Sequence, residues 1–143
     1  MDSMLGYRNA RSGDFGMAAA RTDDVFNYVP ARITGVLIVI AAMLLRFDAA
    51  GSVRSIWRDA AKHPSPNSGI SEAGVAGALG VQLGGLNYYG GIASRRATMG
   101  EPLQELKAAH IRNTAAMVYM VTILFALLIT GLGLAGIQRM WVG

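Results

Sequence analysis

The sequence predicts an all-α integral membrane protein, and three observations carry that prediction. Residues 114–137 form a run of 24 without one charge, rich in Leu, Ile, Val, Met and Phe. Only 15% of the chain is charged, against about 25% in a soluble domain. Eighteen glycines fit a chain whose helices pack in lipid, where glycine is commoner than in water.

The elements follow in order. Residues 1–30 are polar and mixed, and a short helix is expected over 16–28 with Asp14 as N-cap. Pro30 disfavours helix at Val29. Residues 33–45 are apolar and bracketed by Arg32 and Arg46. As helix they reach roughly 20 Å, short of a hydrocarbon core of roughly 30 Å, so a short membrane-embedded segment is expected. The stretch 46–113 reads as a polar loop that carries motifs. Within it, 53–62 has an amphipathic pattern, with Ile56 and Trp57 towards lipid headgroups and Arg54, Arg58 and Lys62 on one side. A Gly-rich helix is expected to start at Ser68 or Ser71, either of which can cap it, with Glu72 in its first turn. Gly80 and Gly84 have the GxxxG spacing that lets helix backbones approach. Residues 84–91, with four glycines, read as a loop. A helix over 103–110 runs into the last element, 114–137, which at about 36 Å spans a bilayer with some tilt.

Several functions are excluded or disfavoured. With no cysteine there is no disulfide, thiolate nucleophile or cysteine-ligated metal. His63 and His110 do not form a ligand pair. The net charge is +4, yet the cations are spread and Arg95-Arg96 is the one adjacent pair, so no nucleic-acid partner is expected. A lipid bilayer, or phosphorylated substrates, suits them better. The phosphate-loop, GxGxxG and GxSxG patterns are absent.

Four polar blocks stand out in this oily chain: 2–9, 21–32, 63–69 running into Glu72, and 84–91. Asp23 and Asp24 are adjacent acids suited to Mg²⁺ beside phosphates, or to charge balance with Arg21. Arg21 and Arg32 can grip phosphate or carboxylate, or mark the membrane edge. A proline-stiffened turn presents His63, Ser65, Asn67 and Ser68 before a helix N-terminus whose N–H groups suit an anion. His63 is a candidate general base or a plain surface residue. The glycines around Asn87, Tyr88 and Tyr89 allow a large planar ligand to approach bare backbone, or simply make a tight connection.

Together these blocks resemble the adenosylcobinamide-phosphate synthases, the CobD/CbiB family of cobalamin biosynthesis. The resemblance rests on Asp2-Ser3-Met4-Leu5-Gly6-Tyr7, Asp14-Phe15-Gly16 and Ala20-Arg21-Thr22-Asp23-Asp24. It continues through Asn27-Tyr28-Val29-Pro30-Ala31-Arg32, His63-Pro64-Ser65-Pro66-Asn67-Ser68-Gly69, Ala76-Gly77-Ala78-Leu79-Gly80 and Asn87-Tyr88-Tyr89-Gly90-Gly91. The motifs keep family order over residues 2–91. Ile70-Ser71 stands where the family often has Trp-Pro, and the family's N-terminal half does not precede Met1. The resemblance therefore reads the chain as a C-terminal portion that works with that half. It implies a ligase, dependent on ATP and Mg²⁺, that joins a propionate carboxyl of adenosylcobyric acid to the amine of an aminopropanol phosphate. On this reading Asp23 and Asp24 hold Mg²⁺ and phosphate, Arg21 and the helix start at Ser68 hold phosphate, and His63 deprotonates the attacking ammonium. Asn67 joins the catalytic set, while Asn27, Ser65, Asn87, Tyr88 and Tyr89 contact substrate.

Topology poses a conflict. Residues 46–113 carry eight of the thirteen cations, which puts them in the cytoplasm by the positive-inside rule. If 33–45 spans once, the blocks at 2–28 and 63–91 lie on opposite sides. Re-entry or partial embedding of 33–45 in a multi-pass cell-membrane protein is preferred. The competing readings are a non-catalytic membrane relative or inactive fragment, and a transporter subunit. The charge-free last span disfavours the latter.

Overall fold

The computed structural model describes residues 22, 24–65, 67–89 and 92–142, except for the side chains of 87–89, 92, 94 and 140–142. The expected helix over 16–28 lies mostly outside them, as does its cap, Asp14.

Helix α1 is Tyr28–Leu44. It runs straight through Val29 and Pro30, against the sequence expectation. Proline falls in the first turn, where its missing N–H has no intrahelical partner to lose. α1 turns Leu37, Ile38, Ala41 and Ala42 to the core. Its end is a Schellman closure, with Phe47 N–H donating to Ala42 O at 2.8 Å and Arg46 N–H to Met43 O at 3.2 Å. Arg46 takes the left-handed position, φ 60°, that glycine usually fills.

The chain then reverses. Asp48 caps helix α2, Ala49–Asp59, by accepting from Gly51 N–H at 2.7 Å. A short 3-10 turn, Ala60–Lys62, and the proline turn lead to helix α3, Ser68–Leu79. The N-cap position of α3 is Asn67, not Ser68 or Ser71, and its side chain makes no cap bond. Asp48 N–H donates to Ala78 O near the end of α3, while Arg32 near the start of α1 reaches Asn67 at the start of α3. α1 and α3 therefore run the same way, with α2 returning between them.

The α2–α3 contact is backbone on backbone. A Cβ on Gly77 would lie 2.2 Å from Gly51 O, and one on Gly51 would lie 2.6 Å from Gly77 O. The expected close packing of the small-residue helix is thus present, but through Gly77 rather than the Gly80–Gly84 pair. Gly80, at φ 60°, ends α3, and Gly84 lies in a strand.

The fold is mostly helical, but not all-α. Residues 84–91, read from sequence as a loop, fall largely in an antiparallel hairpin of β1, Leu83–Tyr89, and β2, Ile92–Met99. The register runs from Leu83 opposite Met99 to Tyr89 opposite Ile92, with a bulge between Leu83 and Gly85. Gly84 makes the bulge possible. Its φ is +91°, and a Cβ there would meet Ala97 O at 2.1 Å.

After the hairpin, 101–107 is a connection that clips onto α3, so of the helix expected over 103–110 only residues 108–110 are helical, as the start of the last helix. Gln104 donates from its N–H to Gly80 O at 3.0 Å and from its side chain to Leu79 O at 3.2 Å. Helix α4 is Ala108–Val142. Met117, 1% exposed, joins Ile38, Ala42, Ala78, Leu79 and Val81 in one core cluster. Beyond Val121 the described side chains of α4 are nearly all exposed, though apolar. Over Ala108–Arg139, α4 is long and apolar enough to cross a membrane. α1, with 17 residues, is shorter.

Stretch 46–113 is thus a packed unit rather than a polar loop. Ile56 packs against the second cluster, Ala60, Ile70, Ala73 and Met99, while Trp57 is 86% exposed. Only the tryptophan of that pair faces outward as expected. The cations of α2 do not form a free solvated row. Asp59, 1% exposed, accepts from Arg58 Nε at 2.9 Å and Nη2 at 2.8 Å, from Lys62 Nζ at 2.7 Å, and from Gly100 N–H at 2.9 Å. The Arg58 bonds, then those of Lys62 and Gly100, hold its carboxyl well below the usual carboxylate range, against the opposing effect of burial. Arg58 also pairs with Glu101. Asp59 therefore ties the hairpin exit to α2.

Three substitutions test this packing. Gly77→Val lowers the thermal midpoint in detergent, with a loss of about 1–3 kcal/mol from overpacking. Gly133→Ala does not lower it, because nothing lies within 4 Å of a Cβ there. Asp59→Asn costs about 2 kcal/mol near neutral pH through its charge-assisted bonds. Because folding lowers the Asp59 pKa, its contribution is complete above the ordinary value of 3.8 and fades as pH falls below it. The gap between wild type and Asp59→Asn in denaturant titrations should narrow on acidification below about pH 4. A gap constant down to pH 2 would contradict the assignment.

Candidate functional site

The turn between α2 and α3 has a cleft on each side. The first, about 260 Å³, is lined by Asp24, Asn27, Ser65, Asn67 and Ser68, with Pro30, Ala31 and Thr34 completing it. Its polar groups are linked. Ser65 Oγ donates to Asp24 Oδ1 at 3.0 Å. Asn67 Nδ2 donates to Asp24 O at 2.7 Å and lies 3.3 Å from Asp24 Oδ1. Asn67 Oδ1 accepts from Arg32 Nη1 at 2.7 Å. Arg32 also donates to Tyr28 O at 3.1 Å and stacks 3.5 Å over the Tyr28 ring. Asn67 is buried, so each end of its amide needs a partner, and each has one.

This network joins two sequence blocks that lie about forty residues apart. It also sets Asp24, within the described end of the earlier block, on the same side as Ser65 and Asn67. α1 carries the chain away, α2 brings it back, and Asp24 meets Ser65 and Asn67 at the same end of the helices.

The second cleft, about 460 Å³, lies between the turn and β2, and is lined by Lys62, His63, Pro64, Glu72, Arg95, Arg96, Ala97 and Met99. His63 faces this cleft and not the first. His63 Nδ1 lies 3.0 Å from Ser65 N and 3.1 Å from Ser65 O, so one tautomer accepts from the Ser65 N–H and the other donates to the Ser65 carbonyl. Nε2 lies 3.7 Å from Glu72 Oε2. Ser65 is the shared element, with its backbone on His63 and its hydroxyl on Asp24.

Of the residues singled out from sequence, Asp24, Asn27, Ser65, Asn67 and Ser68 share one cleft, and His63 lines the next. Asn87, Tyr88 and Tyr89 sit at the outer end of the hairpin, opposite Ser94, Ala93 and Ile92, and their side chains lie outside the described residues. Arg21 and Asp23 also lie outside the described residues. The start of α3 offers fewer free donors than expected, since Gly69 N–H reaches Ser65 O at 3.4 Å and Ile70 N–H reaches Asn67 O at 3.3 Å. Sequence reasoning missed Asp59 and underrated Arg32 and Glu72. An acid among Arg58 and Lys62, at adjacent and i+3 positions, was the available signal for Asp59.

Mg²⁺ beside phosphates takes few protein ligands, often one or two carboxylates. The first cleft fits that sparse demand. Ser65 and Asn67 contact Oδ1 of Asp24, and among the described residues Oδ2 lies outside the network. Among the described residues no group of three or more His, Asp or Glu gathers as a closed metal cage.

Comparison with known proteins agrees with the motif order. The sequence profile of the CobD/Cbib protein family matches residues 1–118. "Cobalamin biosynthesis protein CobD" of Geobacter metallireducens is 48% identical over 128 residues, 90% of this chain and 40% of that protein. The proteins of the same name from Leptospira interrogans (serogroup Icterohaemorrhagiae, serovar copenhageni) and Clostridium perfringens are 42% and 44% identical, over 87% and 86% of this chain and 39% of each relative. The chain spans about two fifths of the length of these curated relatives, and corresponds to their C-terminal portion. No solved structure matches it. By the family profile and by identity over nine tenths of its length, the chain belongs to the CobD/Cbib protein family.

Proposed function

We propose that this chain supplies the C-terminal part of a membrane-bound ligase of cobalamin biosynthesis, which joins a carboxyl of adenosylcobyric acid to the amine of an aminopropanol phosphate. The observation that carries the reading is the hydrogen-bonded set Asp24–Ser65–Asn67–Arg32. It unites two of the family-like blocks around one cleft beside a histidine. Amide formation from a carboxylate needs activation, and ATP, when bound, supplies it by phosphoryl transfer. Asp24, with Asp23, holds Mg²⁺ beside phosphate, and Arg21 and Ser68 contact phosphate. Asn67 fixes Asp24 and Arg32 in register. In the tautomer that donates from Nδ1 to Ser65 O, His63 has an unprotonated Nε2 on the neighbouring cleft, which takes a proton from the ammonium so that nitrogen can attack. Asn27 and Ser65 line the substrate path, and Asn87, Tyr88 and Tyr89 meet the corrin from the hairpin end.

The membrane part of the reading rests on α4, whose outer two thirds are apolar and exposed. Lipid is the solvent such a surface requires. α1 is partly embedded rather than crossing, with α2 returning the chain, and the family's N-terminal half adds further spans in the cell membrane. A second reading is favoured by one fact, the coverage of about two fifths of each relative: the chain is half of a split site and is inactive alone.

Turnover assays on membranes separate these readings. Adenosylcobyric acid, aminopropanol phosphate, ATP and Mg²⁺ are supplied, and the amide product is sought by mass. Product is expected when the chain is co-expressed with the N-terminal portion of a family member. Asp24→Ala, Asn67→Ala and His63→Ala should each lower kcat by at least ~100-fold while the chain stays in the membrane fraction. Normal turnover in Asp24→Ala and Asn67→Ala would sink the site assignment.

A further inference from the structure

Helices α1 and α2 leave a groove of about 210 Å³ between them, walled by Val36 and Val39 on one helix and Val53 and Trp57 on the other, with Ile70 of α3 at its floor. Val36 is 61% exposed and Trp57 86%, so apolar surface continues outward from the groove. Arg32 is the one charged residue that lines it, and it is half-buried. Its charge is poorly matched within the fold. Arg54, Arg58 and Lys62 each pair with an acid, while no ion pair among the described residues includes Arg32. The described groups that Arg32 touches are neutral: the Tyr28 carbonyl and ring, and the Asn67 amide. The groove thus joins an apolar channel to a partly desolvated guanidinium whose described partners carry no opposite charge, an arrangement that favours an added anion.

We propose that this groove holds one acyl chain of an anionic phospholipid, with the headgroup phosphate against Arg32. The volume is below the roughly 300 Å³ at which pockets begin to enclose a drug-sized ligand. One flexible chain laid along the groove suits that space better than a bulky molecule. A guanidinium fork matches phosphate oxygens. A lipid brings that phosphate already joined to an apolar chain, so one molecule answers both features of the groove. In a zwitterionic lipid the ammonium beside the phosphate offsets the attraction, so the preference is for a headgroup with net negative charge. Trp57 supports the same placement, because an exposed indole suits the level where acyl chains meet headgroups. Arg32 also donates to Asn67, which connects the lipid to the first cleft. The proposal goes beyond the ligase reading and rests only on the membrane part of the proposed function.

The test is tryptophan quenching by lipids with brominated acyl chains, which quench on contact. The chain has two tryptophans, so Trp141→Phe leaves Trp57 as the one reporter. The full chain is placed in phosphatidylcholine vesicles that contain a small, fixed fraction of either brominated phosphatidylglycerol or brominated phosphatidylcholine. Trp57 should favour the anionic lipid by ~5-fold, the worth of one arginine at an anionic lipid surface. Arg32→Gln should remove that preference. Val53→Phe, which fills the groove from its exposed rim and leaves Arg32 in place, should lower it too. Arg54→Gln should leave it unchanged, because Arg54 pairs with Asp48 and does not line the groove. Equal quenching by the two lipids, or a preference that survives both Arg32→Gln and Val53→Phe, overturns the proposal. A preference that Arg54→Gln removes as fully as Arg32→Gln assigns it to the general surface charge and overturns the groove. Loss of Trp57 quenching on co-expression with a tryptophan-free N-terminal portion of a family member assigns the groove to that portion and overturns a lipid occupant. In Trp57→Phe the reporter is Trp141, at the end of α4. Quenching of Trp141 with none at Trp57 overturns the lipid site alone, and quenching of neither overturns the membrane reading with it.

Discussion

The α2–α3 contact sets the geometry on which the rest depends. Because neither Gly51 nor Gly77 has a side chain, the two backbones meet directly, with Gly51 O against the face of Gly77. That approach fixes the axial register of α2 against α3. It places Ala60 over Gly69, where a Cβ would lie 2.1 Å from Ala60 O, so the intervening turn has no room to slide. A turn held this tightly can present His63 to one side and Ser65 and Asn67 to the other without its own hydrophobic core. Precision comes from backbone contact here, because small residues supply little apolar area.

Polar pairing then sorts the surfaces. Asp59 is buried, yet four donors surround its two oxygens, so burial of the charge is compensated. The same carboxylate accepts from Gly100, which anchors the start of the connection to α4. Asn67 does the equivalent work at the other end of the turn, with Asp24 on its donors and Arg32 on its acceptor. One residue locks the hairpin exit, and the other locks the entry to α1. Ser52 Oγ, by contrast, is buried with no hydrogen-bond partner, and the fold gives no account of it.

Much of this was legible in the sequence, for physical reasons that differ by element. The charge-free run at 114–137 declares itself because lipid tolerates few alternatives, and α4 contains it. The proline turn at 63–69 was readable because two prolines restrict their neighbours wherever they occur. The hairpin was not readable. Glycines at 84 and 85 depress both helix and strand propensity, and a bulge that requires positive φ cannot be told locally from a loop. Pro30 misled because a proline ends a helix or begins one according to where the first turn falls, and tertiary contact decides that. The pairing of Asp24 with Ser65 and Asn67 was out of reach for pattern reading. It depends on α2 reversing the chain, and nothing in either block encodes that reversal.

The reversal has a consequence for how the site relates to a bilayer. A single crossing by α1 would separate Asp24 from Asn67 by the thickness of a membrane, yet the two share a 2.7 Å hydrogen bond. α1 and α2 must therefore enter and return as a pair or not enter at all. α2 buries Ser52, Ser55 and Asp59 and exposes Arg54 and Arg58. Charged groups at the centre of a bilayer cost several kcal/mol each. The helix that must accompany α1 is thus poorly suited to hydrocarbon. In the membrane-bound form proposed above, the pair suits the interface, with exposed Trp57 at headgroup level and α4 as the spanning element.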